Sequence, residues 1–102
     1  MNYGEAALPV ALNEVGVKEF PSGSNTGPRV RDFLMGHPPE PWCADFGTWS
    51  LMQVGFPLPK FNWSYCPAWE QAARKGEAGM CISDVPKVGD VVLYDWEGDG
   101  VA

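Results

Sequence analysis

Pro41-Trp42-Cys43-Ala44-Asp45-Phe46-Gly47-Thr48-Trp49-Ser50-Leu51-Met52-Gln53-Val54-Gly55 is the stretch on which the fold turns. A proline opens it, where the first helical N–H has no partner to lose, and a glycine closes it, where a helix commonly turns left-handed. The residues between are the most apolar run of the chain, which predicts the longest helix and the buried central one. The same bracket recurs three times. Pro9 to Gly16 encloses VALNEV, with Leu8, Leu12 and Val15 sharing a face. Pro28 to Gly36 encloses RVRDFLM, with Val30, Phe33 and Leu34 inward and Arg29, Arg31 and Asp32 toward water. Pro67 to Gly76 encloses AWEQAARK, amphipathic through Ala68, Trp69, Ala72 and Ala73. Loops rich in Gly, Ser, Asn and Pro (FPSGSNTG, HPPE and FPLPKFNWSY) connect them.

Past the last bracket the pattern changes. Val85 to Asp90 reads as a turn, Val91 to Trp96 (VVLYDW) as a buried strand, and Glu97-Gly98-Asp99-Gly100 as a second turn. A strand needs a partner for its backbone hydrogen bonds. The expected fold class is therefore α+β, one domain over residues 1–102, with helices first and then an antiparallel sheet of which these residues hold the beginning. A C-terminal segment or a second chain would complete that sheet.

A chain of 102 residues with 45% hydrophobic residues has the length and composition of one small globular domain. Its net charge of −6 and the isolation of its basic pairs, Arg29/Arg31 and Arg74/Lys75, argue against a nucleic-acid or anionic-membrane binder. No run of eighteen apolar residues is present to span a membrane. The opening MNYGEAALPVALNEVG lacks a basic n-region, and Glu5 and Pro9 interrupt its apolar stretch, so no secretion signal is read there. Synthesis in the cytoplasm is expected. Three cysteines (Cys43, Cys66 and Cys81) stand far apart with no CxxC or Cys/His cluster, which argues against structural zinc. Cys66 and Cys81 flank the last helix; a disulfide between them is conceivable, and reduced thiols are the expected state.

The chemistry lies in Pro41-Trp42-Cys43-Ala44. A thiol in the first turn of a helix faces unpaired N–H groups and the positive end of the dipole, which favour thiolate. Gly47 and Ser50, one and two turns on, are small enough to admit a sheet closely over that helix. A small buried core cysteine is the structural alternative.

Taken together, PWCADF, CPAWEQAARKG and above all PKVGDVVLYDWEGDG resemble the CHAP domain family, the cysteine, histidine-dependent amidohydrolase/peptidases. These are papain-like relatives of the NlpC/P60 group found in phage endolysins and bacterial wall hydrolases. The resemblance spans nearly the whole chain and implies a papain-like fold and a peptidoglycan hydrolase, an amidase or endopeptidase with Cys43 as nucleophile. Cys43 would attack an amide carbonyl and form a thioester that water hydrolyses. The family histidine opens the strand after the GDG turn, a position beyond Ala102. The single histidine, His37, lies in a Gly-His-Pro-Pro loop outside that position and reads as an exposed loop residue.

The resemblance further implies that Asn25 lies in a loop beside the cysteine, where its amide could hold an oxyanion or a substrate carbonyl; an Asx turn explains it as well. Glu19 could orient a donor or a substrate amine, or be a solvated carboxylate. Trp42 and Trp63 could flank a cleft or be buried. Asp95, Glu97 and Asp99 fit the first, third and fifth positions of a calcium loop, and a tight turn accounts for them equally. No cofactor is required by the reaction. The family reading places the protein's action at the bacterial wall, reached through a holin or within a virion or larger protein. The alternative is a non-catalytic binding or assembly module.

Overall fold

Asn2 starts the first helix: its side-chain oxygen accepts the Glu5 N–H at 2.8 Å, satisfying one of the orphan donors of the first turn. In the computed structural model, which describes residues 2–93, this helix, α1, runs Tyr3–Leu12. It is followed by α2 (Val30–Leu34), α3 (Cys43–Met52), α4 (Cys66–Arg74) and a 3₁₀ turn at Glu77–Gly79. Three of the expected brackets become helices in place. Pro67 sits in the first turn of α4, and Gly55 and Gly76 take positive φ (95° and 73°) just past α3 and α4.

The first bracket is corrected. Pro9 lies inside α1 rather than at its start, because the Asn2 cap begins the helix a turn and a half earlier. The expected face of Leu8, Leu12 and Val15 is exposed, and Ala7 is the residue of α1 that is buried. Beyond Leu12 the chain tightens through bonds from Glu14 N–H to the Ala11 carbonyl and from Val15 N–H to the Leu12 carbonyl.

α3 is central as expected, packing against both α1 and α2, although it equals α1 in length at ten residues. Two apolar groupings flank it. On one side Ala7, Ala44, Leu51, Phe56 and Trp69 form a buried cluster. On the other, Phe33 of α2 is fully buried, with its ring 4.8 Å from Phe46, 4.9 Å from Trp49 and 5.7 Å from Trp42. Arg29 closes that side by bonding Glu14 and Asp32 and lying 5.1 Å over the Trp49 ring.

The α+β, papain-like architecture is overturned among the described residues: all regular structure in residues 2–93 is helical, and no strand is formed. A strand exists only through its ladder, and no extended neighbour pairs with Val91–Leu93, where Val91 and Val92 are exposed. No sheet covers Gly47 either, whose missing Cβ would meet nothing within 4 Å. Tyr94, Asp95 and Trp96 of the expected strand lie outside the described residues.

The turn at Val85–Asp90 does form, with Asp90 accepting the Lys87 N–H at 2.7 Å and returning its own N–H to the Lys87 carbonyl. It lies backbone to backbone on the start of α1. A Cβ on Gly4 would stand 2.1 Å from the Gly89 carbonyl oxygen, so both positions are held to glycine by close approach.

Candidate functional site

Cys43 is the first residue of α3 and is exposed. Trp42 precedes it at the cap and offers no side-chain acceptor to the helix. Its ring stacks on Phe33, and its indole N–H donates to the Glu19 carboxylate at 2.8 Å. That bond is the main reason the Glu19 carboxyl is held below the usual range, with backbone N–H groups of Asn25 and Gly23 adding to it. Glu19 thus anchors the 19–26 loop to the residue before Cys43.

Asn25 is half-buried with φ 58°, the left-handed conformation of a turn. Its backbone faces Glu19, and its side-chain amide makes no hydrogen bond among the described residues. The loop is closed on itself by the Phe20 N–H to the Thr26 carbonyl at 2.9 Å.

The second thiol at the site is Cys66, the first residue of α4, whose Sγ lies 3.8 Å from Cys43 Sγ. Burial, then the neighbouring Cys43, push the Cys66 thiol above its usual range. Cys81 is elsewhere: it lies against Ala73–Gly76, at the far end of α4. Nine helical residues separate the ends of α4 by roughly 13 Å, so the conceivable Cys66–Cys81 bridge is not formed. All three thiols are free.

Behind the thiols lies a polar network that the sequence reading missed. Asp45, two residues into α3, is fully buried and accepts the Ser64 hydroxyl at 2.5 Å. Ser64 Oγ is also 2.9 Å from His37 Nδ1, which in turn is 3.4 Å from Glu40. The His37 ring stacks on Trp63 at 4.6 Å. Trp63 is fixed in turn by its carbonyl, which accepts from Thr48 of α3 and from the Trp69 indole of α4. His37 is therefore a held residue, not a loose loop histidine.

Burial raises the Asp45 carboxyl to about 6, with Ser64 opposing the shift and Glu40 adding to it. Asp45 Oδ2 has no hydrogen-bond partner. The ligand atoms of His37, Glu40 and Asp45 lie within 4.8 Å of one another, a nitrogen-and-carboxylate set of the kind divalent cations accept. The signals in the sequence were an acid inside the most apolar helix and the chain's single histidine six residues before Cys43; nothing there pointed to Ser64.

The residues expected to bind calcium, Asp95, Glu97 and Asp99, lie outside the described residues. Two surface depressions, one beside Cys81 and one under Pro57–Phe61, are lined by none of Cys43, Cys66 or Asp45. No helix among the described residues is long and apolar enough to cross a membrane. Compared with protein-family models, curated proteins and solved structures, the chain matches none.

Proposed function

We propose that the chain carries the nucleophile of a cysteine amidase or endopeptidase acting on bacterial peptidoglycan. The observation that carries the reading is Cys43, an exposed thiol at the first position of α3, a helix start with no side-chain cap. The resemblance of PWCADF and PKVGDVVLYDWEGDG to wall hydrolases supplies the substrate class.

In the proposed reaction the Cys43 thiolate attacks the amide carbon. The amine leaves with a proton and a thioester remains on Cys43. Water then cleaves the thioester, releasing the acid and restoring the thiol. The family draws its imidazole from a position beyond Ala102. A second reading, a binding or assembly module, draws on the fact that His37 bonds to Ser64 and Glu40 and not to Cys43.

Two measurements decide between them. Alkylation by iodoacetamide, followed by peptide mass mapping, should modify Cys43 at least about tenfold faster than Cys81, which is exposed as well. The 102-residue chain, without the family imidazole, should release no amino groups from purified peptidoglycan; joined to a segment that supplies that histidine it should release them, and its Cys43→Ser variant should not. Equal alkylation rates and no release by the joined chain, with wall binding retained, would establish the module instead.

A further inference from the structure

Two of the three cysteines meet although they stand 23 positions apart in the chain. Each is the first residue of its helix, so the N-terminal ends of α3 and α4 converge on one pair of sulfurs. At 3.8 Å the sulfurs are in van der Waals contact, and closing to a bond of about 2.05 Å asks for less than 2 Å of movement. The two differ in setting. Cys43 is exposed to solvent, while Cys66 is half-buried with the Asp45 carboxylate near it. Exposure gives an oxidant access to Cys43 first.

We propose that Cys43 and Cys66 are a redox-active dithiol that closes to an intramolecular disulfide on exposure to a peroxide. With a peroxide, the Cys43 thiolate attacks the O–O bond, taking one oxygen as a sulfenic acid while the other leaves as water. The Cys66 sulfur then attacks the Cys43 sulfur; the S–S bond forms, and the sulfenic hydroxyl leaves as water with the Cys66 proton. Two electrons pass to the peroxide, and two thiols with one peroxide give one disulfide and two waters. A thiol reductant reverses the change by exchange. The couple stands without any hydrolase activity. Its regulatory consequence, a nucleophile taken out of reach by oxidation, rests on the reading above.

The test uses the full 102-residue chain, reduced, freed of reductant and treated with equimolar hydrogen peroxide. The intact mass should fall by about 2 Da, one titratable thiol should remain, and the non-reduced digest should contain a Cys43–Cys66 linked peptide. Dithiothreitol should restore all of it, and Cys81→Ser should close the same bridge. Cys66→Ser should instead accumulate sulfenic acid at Cys43, trapped by dimedone. Three thiols persisting, or a bridge that includes Cys81 or a second chain, would overturn the inference. These readouts need no wall substrate: a bridge with equal alkylation of Cys43 and Cys81 in the reduced protein sinks the hydrolase reading alone, and selective alkylation of Cys43 without a bridge sinks the dithiol alone.

Discussion

Asp45 and Ser64 are joined by a 2.5 Å hydrogen bond between the first turn of α3 and the loop that leads into α4, with the carboxylate wholly out of solvent. The bond places a titratable group between the two helices that carry the paired thiols, and it gives the fold a pH dependence whose sign follows from burial.

Burial raises the Asp45 carboxyl from its usual 3.8 to about 6, so the folded state holds a proton that the unfolded chain has already released across that interval. Stability through this group is complete below about pH 4 and falls as pH rises to about 6, by at most roughly 3 kcal/mol. Glu14 and Glu19, held low chiefly by Arg29 and by the Trp42 indole, have the opposite sign: their contribution is present above the usual carboxylate range and is lost below it. Urea melts of the wild type and Asp45→Asn at intervals from pH 4 to 7 check the sign. The variant should lack the decline between pH 4 and 6, and an identical decline in both would refute the assignment to Asp45.

Closing the Cys43–Cys66 bridge removes loop entropy from the unfolded chain. A loop of this length is worth about 3 kcal/mol, or an upward shift in melting temperature on the order of 10 °C for a domain this small. Differential scanning calorimetry of peroxide-treated and reduced protein reads it directly. An oxidised form that melts lower would mean that the bond strains the helix ends.

Phe33 is fully buried and touches Trp42, Phe46 and Trp49. Phe33→Leu should cost about 1–2 kcal/mol and red-shift tryptophan emission as these rings gain water, and Phe33→Ala about 3–5 kcal/mol. A Phe33→Ala protein with unchanged denaturation midpoint and emission would contradict the packing described.

Gly4→Ala places a methyl against the Gly89 carbonyl oxygen, where 2.1 Å is far inside contact distance. The 85–90 turn must then leave α1, at a cost of about 1–3 kcal/mol. Amide hydrogen exchange at Asp90, whose N–H bonds the Lys87 carbonyl, should quicken while that of α3 stays slow. Unaltered exchange at Asp90 would show that the turn does not rest on α1.

The helices were legible where proline and glycine mark both ends. Pro28–Gly36 and Pro41–Gly55 enclose α2 and α3, Pro67–Gly76 takes in all of α4 but its first residue, Cys66, and Val30, Phe33 and Leu34 are buried as their spacing implies. Pro9 misled because a proline inside a helix and one at its start look alike until the cap is known, and Asn2 supplies that cap. Val91–Leu93, the described part of the expected strand, misled because β-branched composition expresses a preference, while a strand is made by a neighbour, and these residues have none among the described residues. At the site, the helix-start cysteine could be read from local sequence. Its contact with Cys66, and the Ser64–Asp45–His37 chain, could not, since they depend on how the 56–65 loop returns across α3.

The meeting of Gly4 with Gly89 joins nearly the first described residue to nearly the last. Contacts between such distant parts of a chain form slowly, because the entropy of closing the intervening loop is spent before any reward. The helices and the Phe33 grouping draw on nearer neighbours and can assemble while the 85–90 turn is still unattached. Substitutions in that grouping should then slow refolding, whereas Gly4→Ala should leave the refolding rate unchanged and speed unfolding. On that account the turn docks last and is the first part of the molecule to let go.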